Sequence, residues 1–249
     1  MSHLMQKIAL FLLGGTIVMT SLIAGAAEKD FSARQKQEIN QMIREYILEH
    51  PEILPEAIQI LQNRDRKIKL EQNYTRLYED GFSHVGGNKN GDVTVIEFFD
   101  YNCSYCKRAL DTVERLKRED GNIRLIYKEF PILSETSYTA SKAAMAAMNQ
   151  GKYEEFHMAL LRNSGSLTED RIFEIAREVG LNEKTLATDM TNPVLDRNIL
   201  INHDLAETMK ITGTPGFIIG DMVVPGALPY EEMVKLIKDI RQQAAKKTN

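Results

Sequence analysis

The chain has 249 residues, of which 43% are hydrophobic and 27% charged, and its formal net charge is -4. These values are ordinary for a soluble globular protein made of one large domain, or of a domain with an appendage. The charge balance shows no basic excess, which argues against a nucleic-acid partner.

Residues 1–26 have the features of a secretory signal peptide. A start that carries one base, Lys7, is followed by the uncharged run IALFLLGGTIVMTSLIAGAA, in which Ala24-Gly25-Ala26 forms a small-x-small cleavage site. The alternative is an uncleaved membrane anchor, since about 20 apolar residues can span a bilayer. The preferred interpretation is an exported protein.

Residues 27–80 are predicted to be a helical segment followed by a linker. Ser32 is a candidate N-cap, and apolar residues recur at helical spacing between positions 39 and 47. Pro51 ends this helix, and PEILPEAIQILQNRD begins another.

The apolar stripe at residues 39–61 must be buried against another apolar surface. Beyond Leu61 the sequence is mostly polar, which predicts a solvated helix or a linker. The stripe therefore either packs on its own domain or drives self-association through residues 32–61, because a short amphipathic segment far from a core needs partner chains. Homo-oligomerisation is the preferred interpretation.

Glycine and asparagine dominate residues 81–92, which predicts a loop at the start of a second domain, residues 84–245. In that domain VTVIEFF at 93–99 is a predicted strand, CSYCKRALDTVERLKRED a helix ended by Gly121, and IRLIYKEFPI at 123–132 the next strand. A strand, a helix and a strand joined by short connections form a parallel βαβ unit.

Only helical patterns follow from about residue 134 to about residue 211, which predicts a helical insert. TGTPGFIIGDMVVPGAL then gives two short strands around a turn at Gly220-Asp221, and PYEEMVKLIKDIRQQAA closes the chain as a helix. The predicted fold class is α/β, with a βαβ half, a helical insert and a ββα half.

The two cysteines of the chain, Cys103 and Cys106, lie three residues apart where the first strand of this domain meets its helix. A structural disulfide is the weaker interpretation, because so short a loop removes little entropy from the unfolded chain. With Asn102 as N-cap, Cys103 lies at the helix tip, where the helix dipole favours a thiolate and Lys107 and Arg108 add positive potential. Cys106 lies on the apolar stripe of the helix and faces the core. A reactive thiolate followed by a shielded thiol suits thiol–disulfide exchange.

Zinc is the competing interpretation of a cysteine pair. Zinc takes four protein ligands in structural sites, and the chain has no second cysteine pair. Its five histidines are scattered along the sequence: His3, His50, His84, His157 and His203. We therefore predict no metal site and no cofactor.

The sequences EFFDYNCSYCK and TGTPGFIIG resemble the DsbA family of periplasmic thiol–disulfide oxidoreductases, and the resemblance covers residues 84–245. It implies a thioredoxin fold interrupted by a helical domain and a periplasmic location. It also implies that Cys103 is the nucleophile and Cys106 the resolving cysteine. Pro215 would be cis beside this pair, with the Thr214 backbone bonding a substrate strand; a trans turn proline is the alternative.

Glu97 occupies the acidic position of this family, six residues before the nucleophile. A buried carboxyl with a raised pKa could exchange a proton with Cys106 as that thiol reacts. The alternative is a partly exposed Glu97 that forms an ion pair with Lys128 on the neighbouring strand.

Within the family, YILEHPEILPEAIQIL is similar to the branch that includes ScsC, the suppressor-of-copper-sensitivity proteins. The resemblance implies oligomerisation through an N-terminal helical segment. Ser104-Tyr105 stands between the cysteines where the monomeric oxidase has Pro-His, and Thr214 before the proline is a choice shared with disulfide isomerases. Both departures imply a less extreme oxidant.

The first functional hypothesis is therefore an exported oxidoreductase that isomerises or reduces the disulfides of exported cysteine-containing proteins and is kept reduced by a membrane thiol reductase. One alternative is a dithiol oxidase recharged by a quinone-linked membrane partner. Another is an envelope protein that binds Cu(I) through its thiolates and methionines, since soft ligands suit this ion. An adhesion scaffold has no specific support in the sequence.

Overall fold

The structure is a computed structural model that describes residues 31–165 and 167–248. The predicted signal peptide, residues 1–26, lies outside the described residues. Within residues 31–165 and 167–248, no helix combines the length and the apolar character that a membrane span needs.

The described part of the chain contains ten α-helices and five strands. The helices are α1 (Ala33–Glu49), α2 (Ile53–Gln72), α3 (Tyr74–Tyr78), α4 (Ser104–Asp120), α5 (Glu135–Ala147), α6 (Tyr153–Arg162), α7 (Glu169–Glu178), α8 (Glu183–Asp189), α9 (Pro193–Thr208) and α10 (Tyr230–Thr248). The strands are β1 (His84–Gly87), β2 (Val93–Phe99), β3 (Ile123–Glu129), β4 (Gly216–Ile219) and β5 (Met222–Pro225).

The chain divides into two compact units between Glu56 and Ala57. In the first unit, Ser32 caps α1 as predicted: its hydroxyl accepts a hydrogen bond from the backbone N–H of Gln35 at 3.3 Å, and the Gln35 side chain accepts from the Ser32 N–H at 3.0 Å. Helix α1 ends at Glu49, ahead of Pro51, as expected, and none of its residues is buried.

The second unit is built on a five-stranded sheet in the order β1-β3-β2-β4-β5. Strands β2 and β3 are parallel and are joined by α4, which confirms the predicted βαβ unit. Strand β4 pairs antiparallel with β2, and β5 pairs antiparallel with β4. Helices α5 to α9 lie between the two halves in sequence, so the expected thioredoxin fold with a helical insert is confirmed.

Alternate residues of β2 face two separate cores, as the pleat of a strand requires. Val95 and Phe99 pack in the larger core, which includes the inner face of α4 and most of the insert. Ile96 and Phe98 pack in a smaller core on the other side of the sheet, together with α9. The sheet is thus covered on both faces, and the carboxyl end of β2 lies in the middle of the domain.

Beyond Leu61 the structure has a mostly exposed helix, in agreement with the solvated-helix alternative. Helix α2 continues to Gln72, and Leu70 on α2 and Leu77 on α3 are buried in the smaller core. Between Leu61 and Leu77 the apolar residues are Ile68, Leu70 and Tyr74, too few to make an amphipathic pattern evident, yet both leucines are buried in that core. Polar contacts add to the anchoring, because Lys69 Nζ donates to the carbonyl of Thr208 at 3.0 Å.

The predicted loop at residues 81–92 also differs from the structure. Residues His84–Gly87 form the edge strand β1, antiparallel to β3. Gly87 is required there, because its φ is 66° and a Cβ atom at this position would lie 2.5 Å from the carbonyl oxygen of Ile123. In this case the glycines are needed for close packing in a strand and do not mark a loop.

Candidate functional site

The loop between β2 and α4 is held by a buried carboxylate. Asp100 accepts a hydrogen bond from the backbone N–H of Asn102 at 2.7 Å. Its second oxygen accepts from the N–H groups of Ile132 and Leu133 at 2.8 and 2.9 Å. One side chain therefore fixes both the loop that carries the cysteines and the loop that follows β3.

Helix α4 begins at Ser104, one residue later than predicted, and Cys103 occupies the N-cap position. The predicted N-cap, Asn102, is wrong because its side chain bonds the insert instead. Its Nδ2 donates to Ser134 Oγ at 3.0 Å, and its Oδ1 accepts from the N–H of Leu167 at 3.1 Å. Cys103 is thereby placed at the free N–H groups of the first turn of α4.

The two thiols lie in different environments, as expected. Cys103 is 6% exposed and Cys106 is fully buried, and both are free thiols. A hydrogen bond with the Cys106 thiol, helped by Thr214 and by the backbone N–H groups of Cys106 and Tyr105, lowers the pKa of Cys103 to about 5. Burial raises the pKa of Cys106 far above that of an ordinary thiol. At neutral pH, Cys103 is a thiolate and Cys106 is protonated.

Lys107 and Arg108 do not act as predicted. Lys107 Nζ donates to the carbonyls of Asn163 and Gly165 at 2.8 and 3.0 Å, so this amine is bound to the loop after α6. The Arg108 guanidinium stacks on the Tyr105 ring at 4.2 Å. The acidity of Cys103 therefore comes from hydrogen bonds to its sulfur and not from these two bases.

The residues between the cysteines, Ser104 and Tyr105, form the exposed start of α4. Tyr105 is 58% exposed, which is unusual for a large aromatic side chain beside a reactive group. Both residues are therefore placed to contact a protein that approaches Cys103.

Thr214 and Pro215 lie next to Cys103, although more than a hundred residues separate them in sequence. Cys103 Sγ lies 3.1 Å from the Thr214 carbonyl oxygen, to which the protonated form of the thiol donates. The Thr214–Pro215 peptide bond is cis, as the resemblance implies. The Pro215 carbonyl accepts from the N–H of Gly226 at 2.8 Å, which ties this loop to the end of β5.

Glu97 lies on the face of β2 that α4 covers, beneath the cysteines, and is 2% exposed. Burial, with added repulsion from the charges of Glu114 and Cys103, raises its pKa to about 8. Within residues 31–165 and 167–248, no group hydrogen-bonds this carboxyl. The alternative pairing with Lys128 is wrong, because Lys128 forms an ion pair with Asp80.

A second buried carboxyl, Glu129, was not predicted. It accepts hydrogen bonds from the hydroxyls of Tyr153 and Tyr101 at 2.7 and 3.1 Å, and Tyr101 also contacts His157 Nδ1 at 3.1 Å. Burial raises the pKa of Glu129 to about 8 and lowers the pKa of His157 to about 3. The cluster is thus mostly uncharged at neutral pH, and it anchors Tyr101 two residues before Cys103. A Glu at the last position of β3 was the only sequence signal.

Among the described residues, no three His, Cys, Asp or Glu side chains form a group that could hold a metal ion. What the site brings together is a thiolate, a protonated thiol and a carboxyl that can change charge near neutral pH. These three groups supply a nucleophile, a second nucleophile and a proton acceptor.

The sequence profile described as thioredoxin matches residues 79–239. The chain belongs to the thioredoxin family. A second profile, described as the N-terminal domain of the copper resistance protein ScsC, matches residues 35–67. The chain is therefore a thioredoxin-family protein with an ScsC-type segment ahead of its catalytic domain.

Solved structures of other thioredoxin-family proteins share this architecture. A thioredoxin-like oxidoreductase from Silicibacter pomeroyi DSS-3 is 44% identical, with a TM-score of 0.65 over 69% of this chain and 97% of its own. A linker-deletion mutant of ScsC from Proteus mirabilis is 27% identical, with a TM-score of 0.70 over 87% of this chain and all of its own. The thiol-disulfide exchange protein alpha-DsbA2 from Wolbachia pipientis is 27% identical, with a TM-score of 0.67 over 72% and 98%.

Curated relatives match over part of this chain. The Na(+)/H(+) antiporter NhaA 1 of Salinispora arenicola is 30% identical over 138 residues. These are 55% of this chain and 21% of the antiporter, so the chain spans about a fifth of the length of the curated relatives it matches.

Proposed function

We propose that this thioredoxin-family protein is an exported thiol–disulfide oxidoreductase that isomerises or reduces disulfides in exported proteins. The observation that carries the proposal is the pair of thiols three residues apart, whose pKa values are shifted in opposite directions beside Thr214. The solved relatives described as an oxidoreductase and as a thiol-disulfide exchange protein support it.

In the first step, the Cys103 thiolate attacks one sulfur of a substrate disulfide. The substrate S–S bond breaks, a mixed disulfide forms, and the released substrate thiolate takes a proton from solvent. The substrate strand runs along the Thr214 backbone, where its N–H groups and carbonyls find partners. Attack requires no prior deprotonation, because Cys103 is ionised at neutral pH.

The mixed disulfide has two fates. In isomerisation, another thiolate of the substrate attacks the substrate sulfur, so that Cys103 leaves as a thiolate and a different substrate disulfide remains. In reduction, Cys106 gives its proton to the ionised form of Glu97 and attacks the Cys103 sulfur. The reduced substrate then leaves, and Cys103 and Cys106 share a disulfide. Glu97 suits this role because its pKa of about 8 lies near the working pH.

The dithiol oxidase remains the second candidate, and the acidity of Cys103 favours it. A stabilised thiolate makes the reduced form more stable and the disulfide more oxidising. A pKa of about 5 lies between those of thioredoxin, about 7, and DsbA, about 3.5. An isomerase with these groups needs a membrane thiol reductase as its partner, whereas an oxidase needs a quinone-linked one.

Self-association through residues 32–61 is part of the proposal. Helix α1 and the start of α2 expose large apolar side chains, which are between 50% and 66% exposed: Met42, Ile43, Tyr46, Leu48, Leu54, Ile58 and Leu61. The match of residues 35–67 to the ScsC N-terminal domain supports the same role. Copies that share these helices would present several Cys103 thiolates to one substrate.

The proposal is tested with a protein whose disulfides have been scrambled. The mature chain in a thiol buffer should restore the activity of this substrate, and Cys103→Ser should abolish the effect. Cys106→Ser should keep part of it, since isomerisation needs only Cys103. If the wild type oxidises dithiols but restores no scrambled protein, the oxidase is the correct function.

A further inference from the structure

A groove of about 660 Å³ begins at Thr214 and Pro215. Its walls are α2, the loop after α9 and the end of β5, and the start of α4 reaches one edge. Much of its lining is apolar, with Tyr105 at one rim; the apolar lining residues are Met209, Ile211, Pro215, Val223 and Pro225. The volume falls in the range of sites that bind small ligands or short peptide segments.

Charged side chains on the rim are mostly basic: Arg66, Lys69 and Lys210 face the groove with a single acid, Asp65. Arg66 is committed to the fold, since its Nε donates to the Asp221 carbonyl at 2.7 Å. Lys69 gives one N–H to a backbone carbonyl, which leaves two donors free. The groove therefore keeps unused positive charge.

Lys210 supplies the second unused amine of the groove. It is exposed, and no group in the described part of the chain pairs with its amine. Its φ of 59° lies in the left-handed region, at the end of α9, where glycine or asparagine is the usual residue. Position 210 thus has a backbone conformation that favours glycine or asparagine, yet it carries a lysine. The side chain of this lysine lies beside the groove.

We propose that Lys210 and Lys69, at the rim of this groove, select substrate proteins that carry acidic side chains beside their reactive cysteine. This inference rests on the proposed function. Cys103 Sγ lies 3.1 Å from the Thr214 carbonyl, and Thr214 also lines the groove. When a substrate cysteine forms a disulfide with Cys103, the substrate residues next to that cysteine must therefore lie at the mouth of the groove.

An acidic segment fits because both kinds of contact are available at once. Apolar side chains lose water against the floor, and a carboxylate at the rim accepts charge-assisted hydrogen bonds from the free amine donors. A basic segment meets the same amines and is repelled. Asp65 is the one acid of the rim that could pair with a basic segment. Its single negative charge is smaller than the two positive charges of the available amines.

The test uses the full mature protein in its reduced form and three disulfide probes. Two are peptides with the same disulfide loop flanked by glutamates or by lysines, and the third is a small uncharged disulfide. We expect the wild type to reduce the acidic peptide with a kcat/KM about tenfold above that of the basic peptide. This preference should shrink at high salt.

Lys210→Glu should remove or reverse the preference, through KM, and the rate with the uncharged disulfide reports any general loss of activity in this variant. Lys89→Glu is the matched control, because it changes the net charge equally but lies before β2, at the end of that strand opposite to Cys103. Lys210→Gly, which suits the left-handed backbone, should weaken the preference without any risk to the fold.

Equal rates for the two peptides in the wild type would overturn the inference, and so would an equal effect of Lys210→Glu and Lys89→Glu. Failure of the wild type to react with the small uncharged disulfide would instead overturn the proposed function. The two failures are thus distinguished by the uncharged probe.

Discussion

Glu97 and Lys128 lie on neighbouring strands but on opposite faces of the sheet. The parallel register pairs Glu97 with Tyr127, and Phe98 with Lys128. Side chains alternate along a strand, so Glu97 points to α4 and Lys128 points to the other core. Lys128 Nζ there donates to the carbonyl of Arg76 at 2.7 Å and pairs with Asp80. Lys128 therefore does not neutralise Glu97, and burial raises the pKa of that carboxyl unopposed.

The raised pKa predicts a pH-dependent stability. Folding raises the pKa of Glu97 from 4.5 to about 8. The folded chain thus keeps a proton that the unfolded chain releases, so stability from this group is complete below pH 4.5 and is lost as the pH rises to about 8. Relative to the wild type, the free energy of unfolding of Glu97→Gln should therefore rise by about 2–5 kcal/mol as the pH is raised from about 5 to about 9. Urea unfolding of both proteins at the two pH values measures this stability difference. A difference that does not change with pH would contradict the prediction.

The same carboxyl predicts a kinetic effect on Cys106. Ionised Glu97 accepts the proton of this thiol, so attack of Cys106 on the mixed disulfide should accelerate as the pH rises through about 8. In Glu97→Gln this rise should disappear, and resolution should slow by about 10²-fold. Stopped-flow release of a fluorescent thiol from Cys103 measures the step. Attack of Cys103 on a substrate disulfide is the internal control and should change little.

The acidity of Cys103 should depend on its partner thiol. Alkylation of the reduced wild type should reach half its maximal rate near pH 5, at Cys103 alone. Because the hydrogen bond with Cys106 is the largest cause of the low pKa, Cys106→Ala should move this midpoint toward the ordinary thiol value of about 8.5. Rapid alkylation of Cys106 in the folded protein, detected by mass spectrometry, would show that this thiol is not shielded.

Lys128 and Asp80 should be strongly coupled in stability. The Lys128 side chain is fully buried, and its amine lies 2.5 Å from Asp80 Oδ2. Lys128→Met leaves the Asp80 carboxylate buried without its cation and should cost about 3–5 kcal/mol of unfolding free energy. Asp80→Asn combined with Lys128→Met should cost clearly less than the sum of the single changes. Additive losses in a urea double-mutant cycle would rule out the coupling.

The exposed apolar residues of α1 predict self-association. Ile43 is 53% exposed in the single chain, and a glutamate in its place cannot be buried against a second copy without cost. Ile43→Glu should therefore convert the mature oligomer to monomers, measured by light scattering, with no change in Tm of the catalytic domain. Lys36→Glu, at another exposed position of α1, is the control and should leave the oligomer intact.

Strong local patterns made most of the fold predictable from the sequence. Strand β2 and the helix that carries the cysteines follow from unbroken apolar periodicity, and the second half of the domain follows from TGTPG and the turn at Gly220. Leu70 and Leu77 were missed because isolated apolar residues show no period, and only the packed sheet shows what they fill.

The pair of thiols was predictable for the same reason, since all its chemistry lies within four residues. The causes of its acidity were predictable only in part, because the largest, the hydrogen bond with Cys106, is local, whereas Thr214 comes from a distant part of the chain and Lys107 turns away to Asn163. Glu129 was missed because its hydroxyl partners, Tyr101 and Tyr153, come from distant parts of the chain. Long-range hydrogen bonds leave no local pattern.

The bonds of Glu129 also have a consequence for protein engineering. Tyr153 and His157 belong to α6 of the insert, whereas Glu129 ends a central strand of the sheet. Excising the insert to obtain a minimal scaffold would remove the Tyr153 hydroxyl, the nearer of the two tyrosine donors to this buried acid, at a cost comparable to that of a lost buried hydrogen bond. The insert is therefore not an exchangeable module, and shortened versions of this protein need Glu129 replaced by an apolar residue in the same step.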